Sequence, residues 1–99
     1  MDYLKTFNEN CKAYLKSQNV EVSNSATKSQ QRFEFERNLK LMILKLEIEL
    51  SNQADKWGDL SFKNGHPDIS KLRSDMRNAI RTFIIDWQEE QKGKSGLFD

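Results

Sequence analysis

The chain has little of what a dedicated chemistry needs. Its 99 residues include one cysteine, one histidine and one proline, with four glycines. A lone Cys11 cannot close an internal disulfide, so the fold must rest on its apolar core, in a compartment expected to be reducing. An excess of one charge is missing too. The 16 Lys and Arg residues face 15 Asp and Glu, a formal net charge of +1, and the two signs are interspersed rather than blocked. The chain therefore lacks the global basic excess of most nucleic-acid binders, and any partner must be read from local faces. No apolar run approaches the roughly 20 residues of a membrane span. The opening Met1-Asp2-Tyr3-Leu4-Lys5 has no basic region followed by an apolar stretch. The expectation is a single cytoplasmic domain with no membrane contact.

Catalytic constellations are equally sparse. There is no CxxC, no HExxH and no glycine-rich phosphate loop. Cys11 falls on an apolar helical face, where a thiol behaves as a small hydrophobe, and a nucleophile there would need His66 as its base. His66 with Asp68 and Asp59 makes at most a thin metal-ligand cluster in a loop. The carboxylate pairs Glu47/Glu49 and Glu89/Glu90 lie on helix faces expected to be solvated. A non-enzyme without metal or cofactor is the resulting expectation.

What the chain does contain is helical periodicity. Tyr3, Leu4, Phe7, Cys11, Tyr14 and Leu15 recur at steps of three and four, and at about 100° per residue they share one arc of about 120°. This predicts an amphipathic helix over about 2–18. Asn19 to Thr27 carries Asn19, Ser23, Asn24 and Ser25, with Val20, Val22 and Ala26 as its apolar members, and reads as a loop.

Residues from about Thr27 to Lys56 are ambiguous in period. Leu44, Leu46, Ile48 and Leu50 alternate with Lys45, Glu47 and Glu49 as a strand would. Against a strand stand the absence of Gly and Pro between Ser25 and Trp57, the helix-favouring Leu, Lys, Glu and Met, and the i,i+4 ladder of Arg32, Glu36 and Lys40. Helix is the preferred reading, with an α+β fold using 33–50 as strands as its alternative. The helix would be apolar on two sides. Phe35, Leu39, Met42, Ile43, Leu46, Leu50, Ala54 and Trp57 form a broad stripe, while Phe33, Leu41, Leu44 and Ile48 form a narrower one nearly opposite. Gly58 fits a terminating C′ position.

A third helix is expected from Pro67-Asp68 or Ser70 to about Gln91. Ile69, Leu72, Met76, Ala79, Ile80, Phe83, Ile84 and Trp87 share its apolar face, and Gly93 suits its end. Arg73, Arg77 and Arg81 stand at successive i+4 steps on one flank, with Asp68, Asp75 and Asp86 on the other. Ordinary pairing with neighbouring helices or solvent is the first reading of such a stripe; because three like charges in a ladder oppose one another, a protein carboxylate face or a phosphate-bearing ligand is the sharper alternative. Trp57 and Trp87 are in phase with the core stripes and read as core anchors.

The predicted fold is all-α: a short N-terminal helix, a long central helix and a C-terminal helix in one domain over 1–93, with 94–99 as a frayed tail unless Leu97 and Phe98 dock. Two neighbouring helices can cover the broad central stripe and leave the narrow one bare. Such a patch marks an interaction surface, and a homodimer or larger closed oligomer built on Phe33, Leu41, Leu44 and Ile48 would bury it. The functional expectation is a non-catalytic interaction protein of the adaptor, inhibitor or immunity type that also engages a partner protein. The alternative is an oligomeric binder of a nucleotide-like anion or nucleic acid through Arg73, Arg77 and Arg81.

Overall fold

A computed structural model describes residues 2–24 and 27–98. Met1, the loop residues Ser25 and Ala26, and Asp99 of the expected tail lie outside the described residues. Three helices follow one another: α1 (Tyr3–Lys16), α2 (Lys28–Lys63) and α3 (Ile69–Ser95). Among the described residues there is no strand, so residues 33–50 are helical and the α+β alternative falls away.

Each helix begins at a side chain that accepts one of its orphan N–H groups. Asp2 accepts from the Lys5 amide and Asp68 from that of Lys71, both at 3.0 Å. Thr27 accepts from the Gln30 amide at 3.2 Å. The C-termini differ from expectation. Helix α2 runs through Gly58 to Lys63 and stops where Gly65, at φ 74°, lets the His66 amide donate to the Ser61 carbonyl and the Gly65 amide to that of Phe62. That reversal is the pattern of a Schellman motif, and the left-handed residue it demands is Gly65 rather than Gly58. Helix α3 likewise passes through Gly93 and ends at Gly96, at φ 68°. In both helices the first glycine after the periodic run lies inside the helix, and the next one carries the positive φ that ends it.

The molecule is a rod of 57 × 19 × 18 Å. Thirty-six residues of α2 span about 54 Å at 1.5 Å per residue, so this helix runs nearly the full length. Both other helices lie along it. Helix α1 is antiparallel to α2: Tyr3 packs on Trp57 and its hydroxyl accepts from Asn64 Nδ2 at 2.7 Å, while Tyr14 lies in the field of Glu49. Helix α3 is antiparallel to α2 as well, with Arg73 beside Asp59 at one end and Phe98 against Phe35 at the other.

Because α1 is only 14 residues long, it covers the C-terminal half of α2 alone. Over the N-terminal half the irregular segment after α1 takes its place, with Val20 against the core and the Ser23 carbonyl accepting from Gln31 Nε2 at 3.3 Å. Gln91 of α3, almost fully buried, holds that strap by accepting from the Val20 amide at 2.9 Å. Trp87 Nε1 donates to the Gln18 carbonyl at 3.0 Å, which supplies the polar partner a buried indole requires. The turn at Gly96 folds the chain back, so Leu97 is buried and the Phe98 ring sits 5.6 Å from that of Phe35. A tail frayed from Lys94 is therefore not what the structure contains: apolar contact holds it down.

The broad stripe of α2 forms the core as the periodicity required. Phe35, Leu39, Leu46, Leu50 and Trp57 are buried, against Phe7, Cys11 and Leu15 of α1 and Leu72, Met76, Ile80, Ile84 and Trp87 of α3.

Candidate functional site

The narrow stripe of α2 remains bare. Phe33, Leu41, Leu44 and Ile48 are 67%, 62%, 59% and 63% exposed, values far from those of a core helix position. Large apolar side chains exposed together on one helix face in this way mark an interaction surface. Their spacing is regular. Arg37, Leu41, Leu44, Ile48, Ser51 and Asp55 follow one another at alternating steps of four and three, the repeat that keeps a seam facing a partner helix. Phe33 and the charges Lys40 and Glu47 border one side of that seam; Asn38 and Lys45 border the other.

The arginine ladder of α3 lies on the same side of the rod. Arg73 crosses over Gly58 to donate from Nη2 to Asp59 Oδ1 at 3.0 Å. The bare backbone of Gly58 makes that crossing possible, since a Cβ placed there would stand 2.6 Å from Arg73 Nη1. Further along, Arg77, Arg81 and Ile85 face Glu47 and Ser51 of α2 across a shallow groove of about 460 Å³. Ser51 belongs to the seam itself. Arg77 and Arg81 therefore lie beside the C-terminal end of the seam, at Glu47 and Ser51, and none of Phe33, Leu41, Leu44 and Ile48 lines that groove.

The three arginines are not equivalent. Arg73 is half-buried and committed to Asp59, whereas Arg77 and Arg81 are exposed, and among the described residues neither forms an ion pair. The exposed pair stands free to meet a carboxylate or phosphate. Three further exposed apolar residues, Leu60, Phe62 and Ile85, lie outside the stripes legible in the sequence. Ile85 follows Ile84, and only the latter was placed on the helix's apolar face. Phe62 lies in phase with Ile48, two heptads on, but beyond the point where α2 was expected to end.

The groups with catalytic chemistry are placed elsewhere and apart. Cys11 is fully buried in the core, and burial pushes its thiol up to about 12, so the reactive thiolate is suppressed. His66 lies at the far end of α1, its ring 6.1 Å from that of Tyr3, with Nδ1 accepting from the Asp68 amide at 3.2 Å. Tyr3 and Cys11 are eight residues apart on α1, about 12 Å along the axis, so Cys11 and His66 do not form a pair. Of the thin metal cluster, Asp59 is tied to Arg73 and Asp68 caps α3. Among the described residues no three His, Cys, Asp or Glu side chains are grouped to hold a metal ion. No helix of these residues is long and apolar enough to cross a membrane.

No protein-family model, curated protein or solved structure matches this chain. The surface formed by the α2 seam and the α3 arginines is accordingly read from its own chemistry.

Proposed function

We propose that this protein is a non-catalytic interaction module that self-associates through the Phe33, Leu41, Leu44 and Ile48 seam and presents Arg77 and Arg81 to a carboxylate-bearing protein partner. The supporting observation is the exposure of Leu41, Leu44 and Ile48 in heptad phase, with the exposed Phe33 on their flank, on a helix whose opposite face already packs into the core. A soluble rod gains nothing from such a stripe unless another surface covers it. Two copies meeting on it bury the same patch twice, which is how closed homodimers are made. The seam is smaller than the roughly 800 Å² per partner of a standard interface. The dimer is therefore expected to be weak, forming at tens of micromolar rather than nanomolar concentration.

The reading of the arginines as an anion site has its own support in the unpaired Arg77 and Arg81. Arg73 no longer belongs to it as a full member, because it is engaged by Asp59. Native mass spectrometry of the purified chain separates these readings. A bare dimer supports the interaction module. A dimer carrying a few hundred daltons of extra mass, lost on replacing Arg77 and Arg81 by Gln, supports the anion reading instead. A bare monomer at every concentration overturns self-association.

A further inference from the structure

The charges beside the α2 seam discriminate between the two ways a second copy can lie on it. Lys40 and Glu47 flank the seam on one side, both are exposed, and among the described residues neither forms an ion pair. In a parallel, in-register pair each seam residue meets its own copy, which sets Arg37 against Arg37 and Asp55 against Asp55, and brings Lys40 beside Lys45 across the flank. Leu41, Leu44 and Ile48 then pack on their own copies, but each of these charged contacts is repulsive. In an antiparallel pair, residues on the same flank face each other instead. If the dyad passes between Met42 and Ile43, Leu41 meets the partner's Leu44, Arg37 lies over the partner's Ile48, and Lys40 meets the partner's Glu47. Symmetry makes each of these contacts twice. The other flank then sets Asn38 against the partner's Lys45, with no like-charge contact.

A slip of one heptad removes this agreement. Centring the pair on Leu44 and Ile48 improves the apolar match but places Glu47 against its own copy on one flank and Lys45 against its own copy on the other. Slipping the other way sets Lys40 against its own copy. We infer that two copies of this chain pair through α2 in antiparallel orientation, with Leu41 against the partner's Leu44 and Lys40 against the partner's Glu47. This rests on the self-association proposed above and fixes its orientation and register.

Charge reversal tests it, because the two orientations predict opposite signs. Sedimentation equilibrium at low ionic strength, where surface pairs are least screened, would be run on the wild type, Lys40→Glu, Glu47→Lys and the double variant. Circular dichroism checks that each is folded. Antiparallel pairing predicts that each single reversal weakens the dimer roughly ten-fold, since two attractions become two repulsions, and that the double variant returns to within about three-fold of wild type. A Lys40→Glu dimer that is tighter than wild type, or unchanged, overturns the orientation while self-association stands. A wild type that stays monomeric up to about 1 mM overturns self-association and the orientation together.

Discussion

Replacing Gly58 by Ala weighs a helix's backbone preference against a side-chain crossing. Gly58 sits inside α2 with helical geometry, so alanine there should gain about 1 kcal/mol from reduced backbone entropy alone. The added Cβ would stand 2.6 Å from Arg73 Nη1 and 2.9 Å from Cζ, closer than unbonded atoms tolerate. Those atoms end a flexible chain, so the guanidinium would swing aside and lose its 3.0 Å contact with Asp59, whose side chain is 70% exposed. A surface ion pair of that kind contributes about 0–1 kcal/mol, and the Arg73 stem gives up some packing as well. The two effects nearly cancel, and Gly58→Ala alone should shift stability by no more than about 0.5 kcal/mol either way. In an Arg73→Gln background the clash is relieved, and the same change should stabilise by about 1 kcal/mol. Urea unfolding followed by circular dichroism at 222 nm measures the four corners of this double-mutant cycle. A destabilisation above about 2 kcal/mol for Gly58→Ala, or no coupling between the two sites, would refute the reasoning.

Other consequences follow from the core and the strap. Cys11 holds its proton in the fold to about pH 12 but releases it from about 9.0 once unfolded, so the unfolded chain binds fewer protons in that window and is favoured there. Stability should therefore fall as pH rises above 9, with Cys11 contributing up to about 1.4 kcal/mol per pH unit that a Cys11→Ala variant lacks; equal slopes in the two proteins would disprove this. The same thiol should react slowly with a thiol reagent in the native protein and rapidly in denaturant. Gln91→Ala removes the acceptor for the Val20 amide and should cost about 1–2 kcal/mol. It should also raise hydrogen exchange at Val20 well before that of α2, and unchanged protection there would show that the strap is held by something else.

The sequence made the three helices and their core legible because burial imposes a period. Phe35, Leu39, Leu46 and Leu50 recur where a helix of 3.6 residues per turn must place them, and all four are buried. The second stripe was legible for the same reason, since Leu41, Leu44 and Ile48 lie too far round the helix to share that core. Helix ends were harder to read. Gly58 and Gly93 resemble stops, yet Gly58 is there to let Arg73 cross and the stops are Gly65 and Gly96. A glycine required for close approach and one required for positive φ look alike in a one-dimensional string. The neighbourhood of the arginines and the seam was also out of reach, because it depends on how α3 is rotated against α2. Nor could the polar loop after α1 reveal that it replaces a helix, as its anchor Gln91 lies 71 residues from Val20 in the chain.

Coverage of the α2 seam by a second copy of the same chain is the central proposal. Sedimentation equilibrium of the wild type and of Leu44→Glu over about 10 µM to 1 mM tests it most directly. Leu44 is 59% exposed, so the variant should remain folded. The account predicts a wild type whose mass rises with concentration to twice 11.7 kDa and a variant that stays at 11.7 kDa throughout. A wild type that never exceeds the monomer mass, or a Leu44→Glu protein that dimerises as well as the wild type, would contradict it.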